Sequence, residues 1–129
     1  MVDMCCLHKT KFRSVKKTQD FKRIYSQGKY AADSLFVAYA LANDLQQNRL
    51  GVTVSKKIGC AVKRNRVKRW VKESYRQFAF INDGQAGYDF VIIARVPSGQ
   101  LKGKGAYSQV DMSVKRLIKK VGNKVGLAL

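Results

Sequence analysis

Between positions 63 and 76, Lys63, Arg64, Arg66, Lys68, Arg69, Lys72 and Arg76 set cationic side chains among apolar ones, and Glu73 is the only acid with them. Side chains of this type at this density do one kind of chemistry well: they neutralise phosphates and release the counterions condensed on a polyanion. Residues that make and break bonds are scarcer. His8 is the one histidine, so imidazole acid–base catalysis has little to work with. The 8 Asp and Glu residues are spread along the chain and offer no clustered carboxylates for a two-metal site. Cys5, Cys6 and Cys60 cannot all pair and match no disulfide framework. Cys5, Cys6 and His8 lack a fourth metal ligand, and adjacent cysteines rarely chelate one ion. They read as part of an N-terminus in reducing surroundings, and no function attaches to Cys5 or Cys6.

The cations need an element to hold them, and the residues between them supply it. Val67, Trp70, Val71, Ser74, Tyr75 and Phe78 recur at helical spacing, so they form one stripe able to pack on a core. Arg64, Lys68, Lys72 and Arg76 recur every fourth residue on the other arc, with Asn65 and Arg69 beside them. The prediction is a helix over 61–80 with an uncompensated positive face. The whole chain has the same bias. Its 129 residues carry a formal net charge of +18, which self-repels unless a polyanion neutralises it. Hydrophobic residues make up 46%, enough for a folded domain rather than a basic tail. No apolar stretch approaches the roughly 20 residues that span a bilayer, and Met1 to Leu7 is too short for a signal peptide.

The remaining segments read in order as one domain over 1–129, with residues 1–11 a flexible basic leader and Phe12 the first core residue. Thr18 is the expected N-cap of a first helix over 18–27, with Asp20 in its first turn and Gly28 ending it in a left-handed cap. Phe21, Ile24 and Tyr25 form its apolar side. Ser34 to Ala42 alternates as a strand, with Leu35, Val37, Tyr39 and Leu41 on one face and Phe36, Ala38 and Ala40 on the other. Asn43 to Asn48 is a polar turn, and Arg49 to Ser55 is a second strand, most simply the hairpin partner of the first. Lys56 to Gly59 turns into the basic helix, and Asn82, Asp83, Gly84 and Gly87 close that unit. Tyr88 to Val96 has a continuous apolar centre, which implies a strand buried on both faces. Pro97, Ser98 and Gly99 end it. Gly99, Gly103 and Gly105, scattered with Lys102 and Lys104, form no phosphate-binding fingerprint. A last helix from Tyr107 to about Lys124 turns Val110, Val114, Leu117, Ile118, Val121 and Val125 inward and Lys115, Arg116, Lys119, Lys120 and Lys124 outward. The result is an α+β sandwich of one sheet with helices packed on it.

Leu50 to Arg69, with Arg64-Asn65-Arg66-Val67-Lys68-Arg69 at its centre, closely resembles the signature of the protein component of bacterial ribonuclease P. The resemblance extends to Asp20-Phe21 and Tyr25, to Phe36-Val37-Ala38-Tyr39, and to Tyr88 through Arg95, and covers about residues 10–120. It implies an α-β-β-β-α-β-α sandwich like the second domain of ribosomal protein S5, with a left-handed β-α-β crossover around the basic helix. That is one strand more than the periodicity predicts, and 41–55 is where it is expected to lie.

The resemblance also implies a function. The chain would be the protein subunit of a cytoplasmic ribonucleoprotein endonuclease whose catalytic RNA hydrolyses one phosphodiester of precursor tRNA and removes the 5′ leader. Magnesium ions would be held mainly by the RNA subunit and none tightly by the protein, which alone would be monomeric. Arg64, Asn65, Arg66, Lys68 and Arg69 would lie against the RNA subunit near the cleavage site, with Ser55, Lys56, Lys57, Lys63 and Lys72 adding contacts. Phe21, Tyr25 and Tyr39 would line a cleft for the single-stranded leader, where aromatic rings in a basic groove give stacking platforms. Core packing is the competing role for Phe21. A structural, ribosomal-type RNA binder shares the charge and architecture; a protein-only nuclease is a third reading, disfavoured by the scattered carboxylates.

Overall fold

The computed structural model describes residues 13–43, 48–81 and 87–126. Phe12, Cys5, Cys6, His8 and most of the two turns at 43–48 and 82–87 lie outside them. Five strands form one sheet: β1 (Arg13–Ser14), β2 (Lys29–Ala32), β3 (Phe36–Ala42), β4 (Arg49–Thr53) and β5 (Tyr88–Ala94). Three helices flank it: α1 (Thr18–Gln27), α2 (Ala61–Ile81) and α3 (Ala106–Lys124). From α1 onward the order is the α-β-β-β-α-β-α expected from the resemblance, with the two-residue β1 added ahead of it.

The sheet order is β1-β4-β5-β3-β2. The last strand in the chain therefore takes the middle place. β5 is buried on both faces along most of its length: Phe90 and Ile92 on one side, Asp89 and Val91 on the other. Such a strand needs neighbours on both edges and cover above and below. It pairs antiparallel with β3 and parallel with β4. β4 is thus not the hairpin partner of β3, as local spacing had suggested, because β5 lies between them. A parallel pair requires a long crossover, and α2 supplies it.

The extra strand is β2, not a piece of 41–55. Lys29–Ala32 pairs antiparallel with β3, Tyr30 opposite Tyr39. Four residues with two alanines carry little strand signal, and the turn is set by a side chain. Asp33 Oδ1 accepts hydrogen bonds from the Leu35 and Phe36 N–H groups at 2.8 and 2.9 Å, an Asx turn. The opposite oxygen accepts bonds from Ser113 and Arg116 of α3. The same turn moves the start of β3 from Ser34 to Phe36.

Both ends of α1 differ from expectation. Its N-cap position is Lys17, with no side-chain cap, and Thr18 is the first helical residue. Gly28 is extended (φ −76°, ψ 162°), not left-handed, although its N–H still bonds Ile24 O at 2.8 Å. Glycine is required there for space. A Cβ would stand 2.5 Å from Ile24 O and 2.8 Å from Ala40 O, closer than van der Waals contact allows.

α2 and α3 cover one face of the sheet. Val67, Val71, Tyr75 and Phe78 of α2 and Val110, Val114, Leu117, Ile118 and Val121 of α3 are buried against Phe36, Ala38, Ala40, Leu50, Phe90 and Ile92. Ser74, polar within the buried stripe, donates to Asp111 Oδ1 of α3 at 2.7 Å, so its burial is matched. The helical stripe is as the periodicity predicts, down to half-buried Trp70. The other face is covered only in part. α1 lays Ile24 beside Val15 and Val91, and Phe21, Tyr39, Leu41 and Ile93 rim this smaller cluster.

Candidate nucleic-acid interface

The N-terminal half of α1 is held on the sheet by charge. The Asp89 carboxylate is fully buried and takes both ends of the Arg49 guanidinium, Nε at 2.7 Å and Nη2 at 2.6 Å, with Asn43 Nδ2 at 2.8 Å. Arg23 Nη2 reaches it at 3.4 Å, and Arg49 Nη1 extends to Asp20 of α1 at 3.4 Å. The two-pronged contact with Asp89 raises the Arg49 pKa above its ordinary value. The planar fork of arginine matches a carboxylate in both distance and direction. This network ties α1 to β4 and β5, beside the surface that carries Phe21 and Tyr25.

On that surface the rings form a strip. Phe21 and Tyr25 have centroids 6.2 Å apart, Tyr25 and Tyr39 meet edge to face at 5.2 Å, and Tyr39 and Tyr30 lie 5.6 Å apart. Tyr25 is 39% exposed and Tyr30 57%, whereas Phe21 and Tyr39 are half-buried. Phe21 is wedged over the sheet: a Cβ on Gly51 would stand 2.8 Å from its Cε1. It therefore serves the packing of α1 and the wall of the cleft together. The Tyr25 hydroxyl and Thr53 Oγ1 share a 3.5 Å hydrogen bond. Thr53 ends β4, and two residues later come exposed Ser55, Lys56 and Lys57. Tyr25 thus touches the end of the strand that leads into the basic entrance of α2.

Lys56–Ile58 is a short 3-10 turn pinned by buried Ile58, and Gly59, at φ 147°, redirects the chain into α2. Along the helix Asn65, Arg69 and Lys72 are exposed and Lys63, Arg64, Lys68 and Arg76 half-buried. Asn65, Lys68, Arg69, Lys72, Glu73 and Arg76 line a shallow depression of about 310 Å³. Arg76 is paired with Glu73 at 2.5 Å, whereas Lys68, Arg69 and Lys72 make no ion pair among the described residues. Arg66 is held differently. Its Nη2 donates to Leu101 O at 3.2 Å and its Cζ lies 5.0 Å from the Trp70 ring centre. One edge of this guanidinium therefore ties α2 to the segment after β5.

Cys60, exposed just before α2, has its thiol pKa lowered, chiefly by the N–H of Lys63 and further by that of Val62. Among the described residues no group of three or more His, Cys, Asp or Glu side chains is placed to hold a metal ion.

The protein-family profile described as Ribonuclease P matches residues 10–122. A ribonuclease P protein component from Clostridium kluyveri is 45% identical over 108 residues, 84% of this chain and 93% of the relative. The chain belongs to the ribonuclease P protein family.

Solved members of the family have the same fold. The Staphylococcus aureus RNase P protein superposes with a TM-score of 0.74 at 34% identity, covering 89% of this chain and 98% of that one. The Thermotoga maritima protein gives 0.72 at 27% identity, over 84% and 97%. As a family member, the chain is the protein part of a ribonucleoprotein endonuclease of tRNA processing. Phe21 and Tyr25 of α1 come together with Tyr39 of β3, and exposed Ser55, Lys56 and Lys57 lead from β4 into α2. Tyr30 escaped the sequence reading. Its signal was the register of β2, and that strand was itself not recognised.

Proposed function

We propose that the chain divides its binding between two surfaces of the ribonucleoprotein. The exposed arc of α2 and its entrance, with Ser55, Lys56, Lys57, Lys63, Arg64, Asn65, Lys68, Arg69 and Lys72, lies on the phosphate backbone of the catalytic RNA subunit. Arg66 presents its free edge there while its bonded edge keeps α2 in place. The cleft of Phe21, Tyr25 and Tyr39 takes the single-stranded 5′ leader of precursor tRNA. The observation that carries this reading is that the exposed Tyr25 hydroxyl meets Thr53 at the end of β4, two residues before exposed Ser55 at the entrance of α2. A leader crossing the rings arrives beside the helix expected near the scissile phosphate.

Magnesium bound by the RNA subunit supplies the activated water. This chain's residues contribute charge neutralisation and position. Cations on α2 reduce repulsion between two polyanions, and the rings hold the leader extended, so that one phosphodiester stands at the cleavage centre. A net charge of +18 repels a second copy, and the free protein is monomeric in this reading. The cytoplasm, where tRNA is processed, is its place. Among the described residues no helix is long and apolar enough to cross a membrane.

The test is reconstitution. Adding the purified chain to a bacterial ribonuclease P RNA at low magnesium is expected to restore cleavage of precursor tRNA. Failure to do so would favour a purely structural RNA-binding role. Cleavage by the chain without the RNA subunit would instead place the reaction in the protein.

A further inference from the structure

The aromatic strip does not stop at Tyr39. Tyr30 stands opposite Tyr39 on the edge strand β2, its ring 5.6 Å from that of Tyr39 at an interplanar angle of 31°. At 57% exposure it is the most exposed ring of the strip. A tyrosine this exposed on an edge strand contributes little to the core, and more than half of its surface stays open to solvent. Lys124, at the end of α3, reaches round the sheet edge to it. Lys124 Nζ donates to Tyr30 O at 2.7 Å and lies 5.8 Å from the ring centre. An ammonium has three donors, so the hydrogen bond positions the cation and leaves donors for an anion.

The strip also has a direction. Tyr25 touches Thr53 on β4, the strand leading to the basic entrance of α2. Across the sheet the order then runs β4, β5, β3, β2. Tyr30 is therefore the ring farthest from that entrance. Steps of 5.2 and 5.6 Å between rings exceed the roughly 3.4 Å rise of a stacked strand, which suits an extended single strand placing successive bases on successive rings.

We propose that Tyr30, with Lys124 beside it, is an additional nucleotide subsite at the outer end of the cleft. Its ring stacks a leader base farther from the cleavage site than those held at Tyr25 and Tyr39, and the Lys124 ammonium meets the adjoining phosphate. The subsite rests on the leader-binding reading given above and lengthens the stretch of leader that the protein senses.

The experiment uses the reconstituted holoenzyme and precursor tRNAs whose leaders are shortened one nucleotide at a time. Tyr30→Ala is expected to weaken binding of long-leader precursors by roughly 5- to 150-fold, the range for one stacked base. Tyr30→Phe keeps the wild-type affinity. The Tyr30→Ala penalty disappears at a leader length where Tyr25→Ala still costs affinity. Lys124→Ala lowers the salt dependence of binding only for leaders long enough to reach Tyr30. A Tyr30→Ala loss equal at every length, mature tRNA included, means contact with the RNA subunit or a folding role and overturns the subsite. No loss at any length, with Tyr25→Ala still leader-dependent, overturns the subsite and leaves the leader-binding reading standing. Leader-independent losses for both variants overturn the two together.

Discussion

Replacing Tyr25 by Ala separates the leader cleft from ordinary packing. The ring is 39% exposed, so its removal uncovers less apolar surface than a core truncation. Its edge-to-face contact with Tyr39 at 5.2 Å is worth about 0.5–1.5 kcal/mol. Its hydroxyl bond to Thr53 is 3.5 Å long and exposed, at the weak end of the range. A stability loss near 1 kcal/mol follows, which lowers Tm by roughly 2–8 °C for a domain of this class and leaves the protein folded at assay temperature. One stacked base contributes roughly 1–3 kcal/mol. Affinity of the holoenzyme for leader-bearing precursor is therefore expected to fall about 5- to 150-fold, and affinity for mature tRNA to stay within about twofold. Tyr25→Phe keeps the ring and is expected to match the wild type on both. Equilibrium binding of the two tRNAs to reconstituted enzyme measures the difference. Equal losses on precursor and mature tRNA would refute the cleft assignment and return Tyr25 to a packing role.

Other perturbations test the remaining parts of the structure. Arg64→Ala is expected to reduce affinity for the RNA subunit and to lower the slope of log K against log salt by roughly 0.7–0.9; an unchanged slope would mean that Arg64 touches no phosphate. Asp89→Ala removes the partner of Arg49, whose side chain is 17% exposed, and breaking such a pair costs about 3–5 kcal/mol. Urea denaturation should show that loss, and a change below about 1 kcal/mol would make the Asp89 network dispensable. Asp33 gives a pH dependence. Burial alone would push its carboxyl up, but hydrogen bonds from Ser113, the Phe36 and Leu35 N–H groups and Arg116 outweigh it and hold the pKa below the ordinary 3.8. A depressed carboxyl pKa stabilises the fold above the unfolded-state value and loses that contribution as pH falls through the folded-state value. Acid unfolding followed by circular dichroism should therefore be less steep below about pH 4 in Asp33→Asn than in the wild type; coincident curves would remove Asp33 from the acid transition.

Local physics made much of this protein legible in its sequence. The stripe Val67, Val71, Ser74, Tyr75, Phe78 and the cations between its members determine both that α2 forms and which arc faces outward, because helical periodicity needs only neighbours within two turns. The alternation in 36–42 likewise puts Phe36, Ala38 and Ala40 on one face and Tyr39 on the other. The unbroken apolar run of β5 marks it as a strand covered on both sides.

What tertiary structure alone decided is which elements meet. Pairing of β5 between β3 and β4 depends on contacts across tens of residues, and spacing within either strand carries no trace of it. β2 exists because Asp33 caps a turn and α3 reaches over to hold that same carboxylate, and no local propensity in Lys29–Ala32 announces either. Gly28 takes its place from the oxygen of Ala40, twelve residues on, rather than from its own conformational freedom. The cleft follows the same rule. Its rings belong to α1, β2 and β3, and register and the buried Asp89–Arg49 clamp bring them together. The sequence alone therefore determined that this chain carries a basic helix suited to a polyanion. Tertiary structure decided that rings of α1, β2 and β3 form one aromatic strip, because a charge pattern is a property of one element and a cleft is a property of several.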